Sequence, residues 1–326
     1  MTELAVDATG LTKTYGHLTA VDHVDVKIAR GSVFGLLGPN GAGKTTIIKL
    51  LTAISDLTSG EAMVAGFDVR RDPMKVKARI GWVAAEVILD DEFSGLENLW
   101  LQAKLQSIPE WKGKAHDLLR YFDLEGRAGD RVSTYSTGLR KKLEVALALL
   151  NEPRVIFMDE PTIGLDPGTR RMLWDLIDGV HREFGVSVLL TTHYIEEADR
   201  LCDRVAILDR GRIVAEGTPD ELKSRVKADF IELEVAGELP DAALQGIPGV
   251  LEVKTEGRSK VLRVQSAEAA LPRILGVVGP ERLRRINVDT PSLETAFLEA
   301  TGHRIEEENG THDFRKFYMT IRRARQ

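Results

Sequence analysis

Two clusters in the sequence have the residue types and the spacing for phosphate chemistry. The first is Gly38-Pro39-Asn40-Gly41-Ala42-Gly43-Lys44-Thr45, followed by Thr46. Gly38 and Gly43 let the backbone turn tightly with its amide N–H groups facing inward, and a helix starting there adds its positive end. Lys44 is placed to reach the β- and γ-phosphates of a nucleotide, and Thr45 offers a hydroxyl to Mg2+. The second cluster is Val155-Ile156-Phe157-Met158-Asp159-Glu160, an apolar run ending in two acids. Asp159 suits a metal ion, directly or through water. Glu160 is suited to polarise an attacking water, because hydrolysis needs an acceptor in line with the γ-phosphate.

Such side chains work only if the surrounding elements hold them. A short apolar strand over 32–37 leads into the glycine loop, and Ile47, Ile48, Leu50, Leu51 and Ile54 recur behind it at helical spacing. Strand, glycine loop, helix is the context that phosphate binding requires. Upstream, Val21, Val24, Val26 and Ile28 alternate as in strands, and residues 96–150 read as mostly helical. Apolar strands at 155–158 and 186–190 flank a helix around 170–184. Strands alternating with helices predict an α/β fold with a mostly parallel sheet, the stretch of about 90–150 being an inserted helical subdomain.

The pattern changes near Lys223. Strands are expected at 230–235, 250–253, 260–264 and 283–288, with helices at 241–245 and 268–278, the latter broken early by Pro272. This β-α-β-β-α-β order is that of a small ferredoxin-like α+β domain. A last helix over 292–301 is expected, capped by Thr290 with Pro291 at its first position. The expected division is 1–224, 225–302 and a charged tail over 303–326.

Composition sets limits. With 43% hydrophobic and 29% charged residues the chain has an ordinary globular balance. Its net charge of −6 lacks the basic excess of a nucleic-acid binder, so no nucleic-acid partner is expected. The single cysteine, Cys202, allows no internal disulfide and fits a reducing compartment. No apolar run approaches the roughly 18–20 residues of a membrane span and no secretory signal opens the chain, so a soluble chain is expected, with any membrane role reached through a partner.

Taken together, the two clusters and several further residues resemble the ATP-binding subunits of ABC transporters over about residues 3–222. Tyr15 stands where that family places an aromatic ring against adenine. Ser136-Thr137-Gly138-Leu139 resembles the family's signature sequence, Gly164-Leu165-Asp166 its D-loop, and His193 after Thr191-Thr192 its switch histidine. No Asn-Lys-x-Asp element for guanine is evident. The resemblance implies a P-loop ABC ATPase core with a mixed sheet, ATP and Mg2+ as ligands, and a shared site in which Ser136 and Gly138 of one subunit face the phosphate loop of a second, as in a homodimer. Pro291-Ser292-Leu293-Glu294-Thr295-Ala296-Phe297-Leu298 resembles the closing helix of subunits that pair with ABC-2 type export permeases. That implies an export motor on the cytoplasmic face of the cell membrane.

Two positions depart from the family. Thr137 replaces a glycine of the signature, so its backbone must avoid positive φ or be strained. The glutamine expected after the strand at 80–83 is replaced by Ala85, followed by Glu86. Alanine cannot ligate a metal, so altered coupling or slow turnover is expected there. The alternatives are a soluble ABC-type ATPase of translation or DNA maintenance and an ATP-regulated module. One phosphate loop and no heptad run count against the first. The tail residues Arg315, Lys316, Arg322, Arg323 and Arg325, interleaved with Phe314, Phe317 and Tyr318, read as a solvated tail or as a contact for anionic lipid.

Overall fold

A computed structural model describes residues 3–85, 89–226, 228–237, 239–256, 259–279, 281–289 and 292–303. Glu86, Thr290, Pro291 and the tail from 304 lie outside the described residues. The chain forms two compact units that meet in sequence at Pro219/Asp220.

The first unit opens with two long strands, β1 (Leu4–Tyr15) and β2 (Leu18–Ala29), and the central strand β3 (Val33–Leu37). Helix α1 (Lys44–Leu51), the hairpin β4 (Ser59–Val64) and β5 (Phe67–Asp68), α2 (Pro73–Lys77) and β6 (Ile80–Val83) follow. Next come the helices α3 (Gly95–Leu105), α4 (Trp111–Tyr121) and α5 (Thr137–Leu149). Strand β7 (Val155–Asp159), α6 (Pro167–Phe184), β8 (Ser187–Thr192), α7 (Ile195–Leu201), β9 (Arg204–Asp209) and β10 (Arg212–Gly217) complete it, and α8 (Pro219–Arg225) lies in the second unit except for its first residue.

Two sheets result. The strands β2-β1-β4-β5 make an antiparallel sheet, and β10-β9-β3-β8-β7-β6 make a mixed one. In the mixed sheet β9, β3, β8, β7 and β6 run parallel, and only the edge strand β10 is antiparallel. All five residues of β3 and of β7 are buried, as the unbroken apolar runs require of a strand covered on both faces. Leu36, Ile47, Phe157, Leu189 and Leu208 share one core, so α1, β3, β7, β8 and β9 are locked together behind the glycine loop. The carboxyl ends of β3, β7 and β8 therefore lie side by side, which is where open α/β sheets bind ligands.

The second unit is β11 (Asp229–Val235), α9 (Asp241–Gln245), β12 (Val250–Glu256), β13 (Ser259–Val264), α10 (Ala267–Val278) and β14 (Leu283–Asp289), then α11 (Leu293–Thr301). Its sheet has the order β12-β13-β11-β14 with every neighbouring pair antiparallel, the ferredoxin-like arrangement. Two local expectations differ. Helix α10 runs through Pro272 unbroken, because Ala270 on one side and Ile274 and Val278 on the other bury a single apolar face. Helix α11 is capped by Ser292 rather than Thr290: the Ser292 hydroxyl accepts from Thr295 N, and the Thr295 hydroxyl accepts from Ser292 N.

Candidate functional site

Helix α1 begins at Gly43, which caps it with φ 107° and no side-chain bond. A side chain there would fail twice, since its Cβ would lie 2.5 Å from Ala20 O in a left-handed conformation. Gly38 is equally confined, 2.4 Å from Leu208 O at the Cβ position. Its N–H bonds Thr192 O at 3.1 Å, so the loop is fastened to the end of β8. Pro39, Asn40, Gly41 and Ala42 form the turn between these points. Thr45 is exposed and Thr46 half-buried at the first turn of α1.

Lys44 is buried, with Nζ donating to Gly38 O at 2.6 Å and Pro39 O at 3.1 Å. The same ammonium forms an ion pair with Glu160 Oε1 at 2.8 Å. Glu160 Oε2 lies 2.6 Å from His193 Nδ1, and because an ionised carboxylate only accepts, that ring nitrogen donates. Burial alone would raise the Glu160 pKa, but the His193 bond and the Lys44 charge outweigh it and hold the carboxyl below its ordinary value. Thr45 Oγ1 donates to Asp159 Oδ1 at 3.1 Å. The structure thus brings Lys44, Thr45, Asp159, Glu160 and His193 into one contiguous group.

Glu160 carries a cost. Its φ of 49° is rare for a residue with a side chain and is worth roughly 1–3 kcal/mol of strain. Thr191 holds it there. The Glu160 N–H reaches both Thr191 Oγ1, at 3.0 Å, and Thr191 O, at 3.1 Å, while that hydroxyl donates to Asp159 Oδ1 at 2.7 Å. One fully buried threonine therefore orients both acids. In the sequence Thr191 stands only in the run-up to His193, and a polar residue at the end of an otherwise apolar strand is the one signal of its role. Glu197, fully buried on α7, is a second residue that the sequence reading missed.

The other expected site residues stand apart from this group. Ser136 caps α5, its hydroxyl accepting from Leu139 N at 3.4 Å, and it is exposed. Thr137 occupies the first helical position, so it avoids positive φ and the missing glycine costs no strain. Gly138 follows within the first turn. Asp166 caps α6 through Gly168 N at 2.9 Å and Thr169 N at 3.1 Å, and the Thr169 hydroxyl with these bonds lowers its pKa. Tyr15 ends β1 with 49% of its surface exposed and Lys13 Nζ 4.9 Å from its ring centroid. Ala85 lies two residues beyond the edge strand β6, half-buried and with no ligating atom.

A glycine loop around a helix N-terminus, a strand running into two acids and a histidine just past the end of the next strand define a phosphate-loop nucleoside triphosphatase. The sequence pattern described as ABC transporter matches residues 21–163, and that described as ATP-binding protein DrrA1-3-like, C-terminal domain, matches 217–301. The chain is 40% identical over 310 residues to the daunorubicin resistance ATP-binding protein DrrA3 of Streptomyces coeruleorubidus, spanning 93% of this chain and 97% of that one. It is 35% identical over 310 residues to the Nod factor export ATP-binding protein I of a Rhizobium species, spanning 94% and 100%. Among solved structures it resembles the dimeric post-hydrolysis state of the ATP-binding cassette MJ0796 bound to ADP and Pi, with a TM-score of 0.58 and 27% identity over 65% of this chain and 98% of that one. The chain belongs to the ABC transporter family, as one of its ATP-hydrolysing, ATP-binding proteins.

Proposed function

We propose that this chain binds ATP with Mg2+ at the Gly38–Thr45 loop, hydrolyses it across an interface with a second ATP-binding subunit, and so drives export through a separate ABC-2 type membrane permease. The observation that carries this reading is the buried contact series Lys44–Glu160–His193 beside Thr45–Asp159.

The donor set fits Mg2+. Thr45 and Asp159 are hard oxygen donors already in contact, and Mg2+ takes one or two protein oxygens and completes its shell with phosphates and water. Among the described residues no cluster of three His, Cys, Asp or Glu could hold a metal alone, in keeping with an ion that arrives with its nucleotide. When bound, the ion supplies positive charge to the β- and γ-phosphate oxygens. Lys44 and the loop amides add to that charge from the protein side, and Tyr15 offers an exposed ring to adenine. Glu160, kept ionised by His193 and Lys44, accepts the proton of the attacking water, and His193 contacts the γ-phosphate. Ser136 and Gly138, exposed or half-exposed at the start of α5, face the nucleotide of the second copy.

Export is supported by the names of the relatives, one for drug resistance and one for Nod factor export. The C-terminal unit and the α11 sequence support an ABC-2 type partner. No described helix is long and apolar enough to cross a membrane. A place at the cytoplasmic face beside the permease is part of the same proposal.

Glu160→Gln tests the chemical core. The amide cannot accept the proton, so ATP turnover falls by about 10²–10⁴-fold while ATP affinity is kept and an ATP-bound dimer accumulates. Near-normal turnover would mean that another group is the base.

A further inference from the structure

One more acid is buried without taking any step above. Glu197 is wholly inaccessible, and burial raises its pKa. Its Oε1 accepts from Thr162 Oγ1 at 2.9 Å and from Trp174 Nε1 at 2.9 Å. Placing a carboxyl inside a protein is costly unless hydrogen bonds replace those it made to water, and Glu197 receives two.

The three residues come from three segments that meet around the hydrolytic group. Glu197 lies in the first turn of α7, which starts two residues after His193. Thr162 lies in the turn between Glu160 and Asp166, where Ile163 N bonds Glu160 O at 3.1 Å and Leu165 N bonds Thr162 O at 3.2 Å. Trp174 lies on α6, the helix that Asp166 caps. A second tie runs in parallel, with the Arg170 guanidinium of α6 stacked 3.8 Å from the Tyr194 ring centroid. The turn after Glu160 and the helix after His193 are thus joined by one carboxylate oxygen at the back of the site.

We propose that Glu197 is a positioning residue for hydrolysis: by holding Thr162 and Trp174 to α7 it keeps the His193–Glu160 contact in register. Strain at Glu160 makes such support necessary, because a residue at φ 49° relaxes unless the chain on both sides is fixed. Thr191 fixes the backbone on the sheet side, and Glu197 fixes the turn that follows. The inference rests on the reading of Glu160 and His193 as the hydrolytic pair.

The test uses the full chain and steady-state ATPase assays, with single-turnover assays for slow variants. Thr162→Val and Trp174→Phe each remove one donor and leave Glu197 in place. Each is expected to lower kcat about ten-fold while KM and the affinity for a fluorescent ATP analogue stay within about two-fold. Glu197→Gln keeps an acceptor oxygen and is expected to retain most of the rate. In a His193→Ala background Thr162→Val should add nothing further, because the contact it protects is already gone. Unchanged kcat in both donor variants overturns the proposal. So does an equal fall with and without His193, which would mark the contact as structural only. Normal turnover in Glu160→Gln and His193→Ala would instead sink the hydrolytic reading itself.

Discussion

The helices α1 and α5 start in opposite ways. The N-terminus of α1 is enclosed: Gly43 has no room for a side chain, Lys44 folds onto loop carbonyls and Glu160, and Thr45 bonds Asp159. The N-terminus of α5 is open, with Ser136 exposed and bonded to its own helix through Leu139 N. Both carry the same positive helix end. The first gathers a buried ammonium, a hydroxyl and two carboxylates around its glycine turn. The second offers a hydroxyl, a glycine and free surface, which suits a group that meets phosphate from another molecule.

Substitutions at each end should separate these roles. Lys44→Ala should have the largest effect, cutting ATP binding and turnover by about 100-fold or more in filter-binding and phosphate-release assays. Gly138→Asp comes next. Its new side chain first meets the tip of Met172, which can move, so the chain should fold. The added negative charge should lower turnover about ten-fold and block ATP-driven dimerisation, while one copy still binds ATP normally. Sedimentation with and without ATP reads that difference, and an unchanged dimer would erase the contrast between the two helix ends.

Smaller effects concern stability. Asp166→Ala removes the cap of α6 and should lower Tm by about 2–4 °C in a thermal scan. The depressed Glu160 pKa predicts a sign for the pH dependence. Because the folded value lies below the ordinary 4.5, the stabilisation is complete above 4.5 and is lost as the pH falls through the lower folded value. Thermal scans between pH 6 and pH 3 should therefore show a steeper loss in the parent than in Glu160→Gln.

Much of the site was readable because its motifs are local. The loop at 38–45 lies between a strand and a helix that the sequence also displays, and Asp159 and Glu160 end an apolar run. The supports were not readable. Thr191 acts on acids more than thirty positions upstream, and Glu197 meets Thr162 and Trp174 from separate elements. No local pattern encodes such pairings. In the second unit the order of elements was legible, whereas Pro272 was misread because a helix interrupted locally can be held by a face buried on both sides of it. The cap of α11 lies two positions beyond the expected Thr290, because Thr290 and Ser292 are both capping types and only the reciprocal Ser292–Thr295 bonds decide.

Strand β3 pairs with β8 on one side and β9 on the other, and Gly38 is confined by Leu208. These neighbours are synthesised some 150–170 residues after the glycine loop that they shape. On a ribosome the loop therefore emerges long before its walls, and non-local pairings of this kind form late. A nascent chain halted before β9 carries every residue of the glycine motif but not the enclosure that shapes it. The enclosure around Gly38 is therefore complete only once Thr192 and Leu208, at the ends of β8 and β9, are in place.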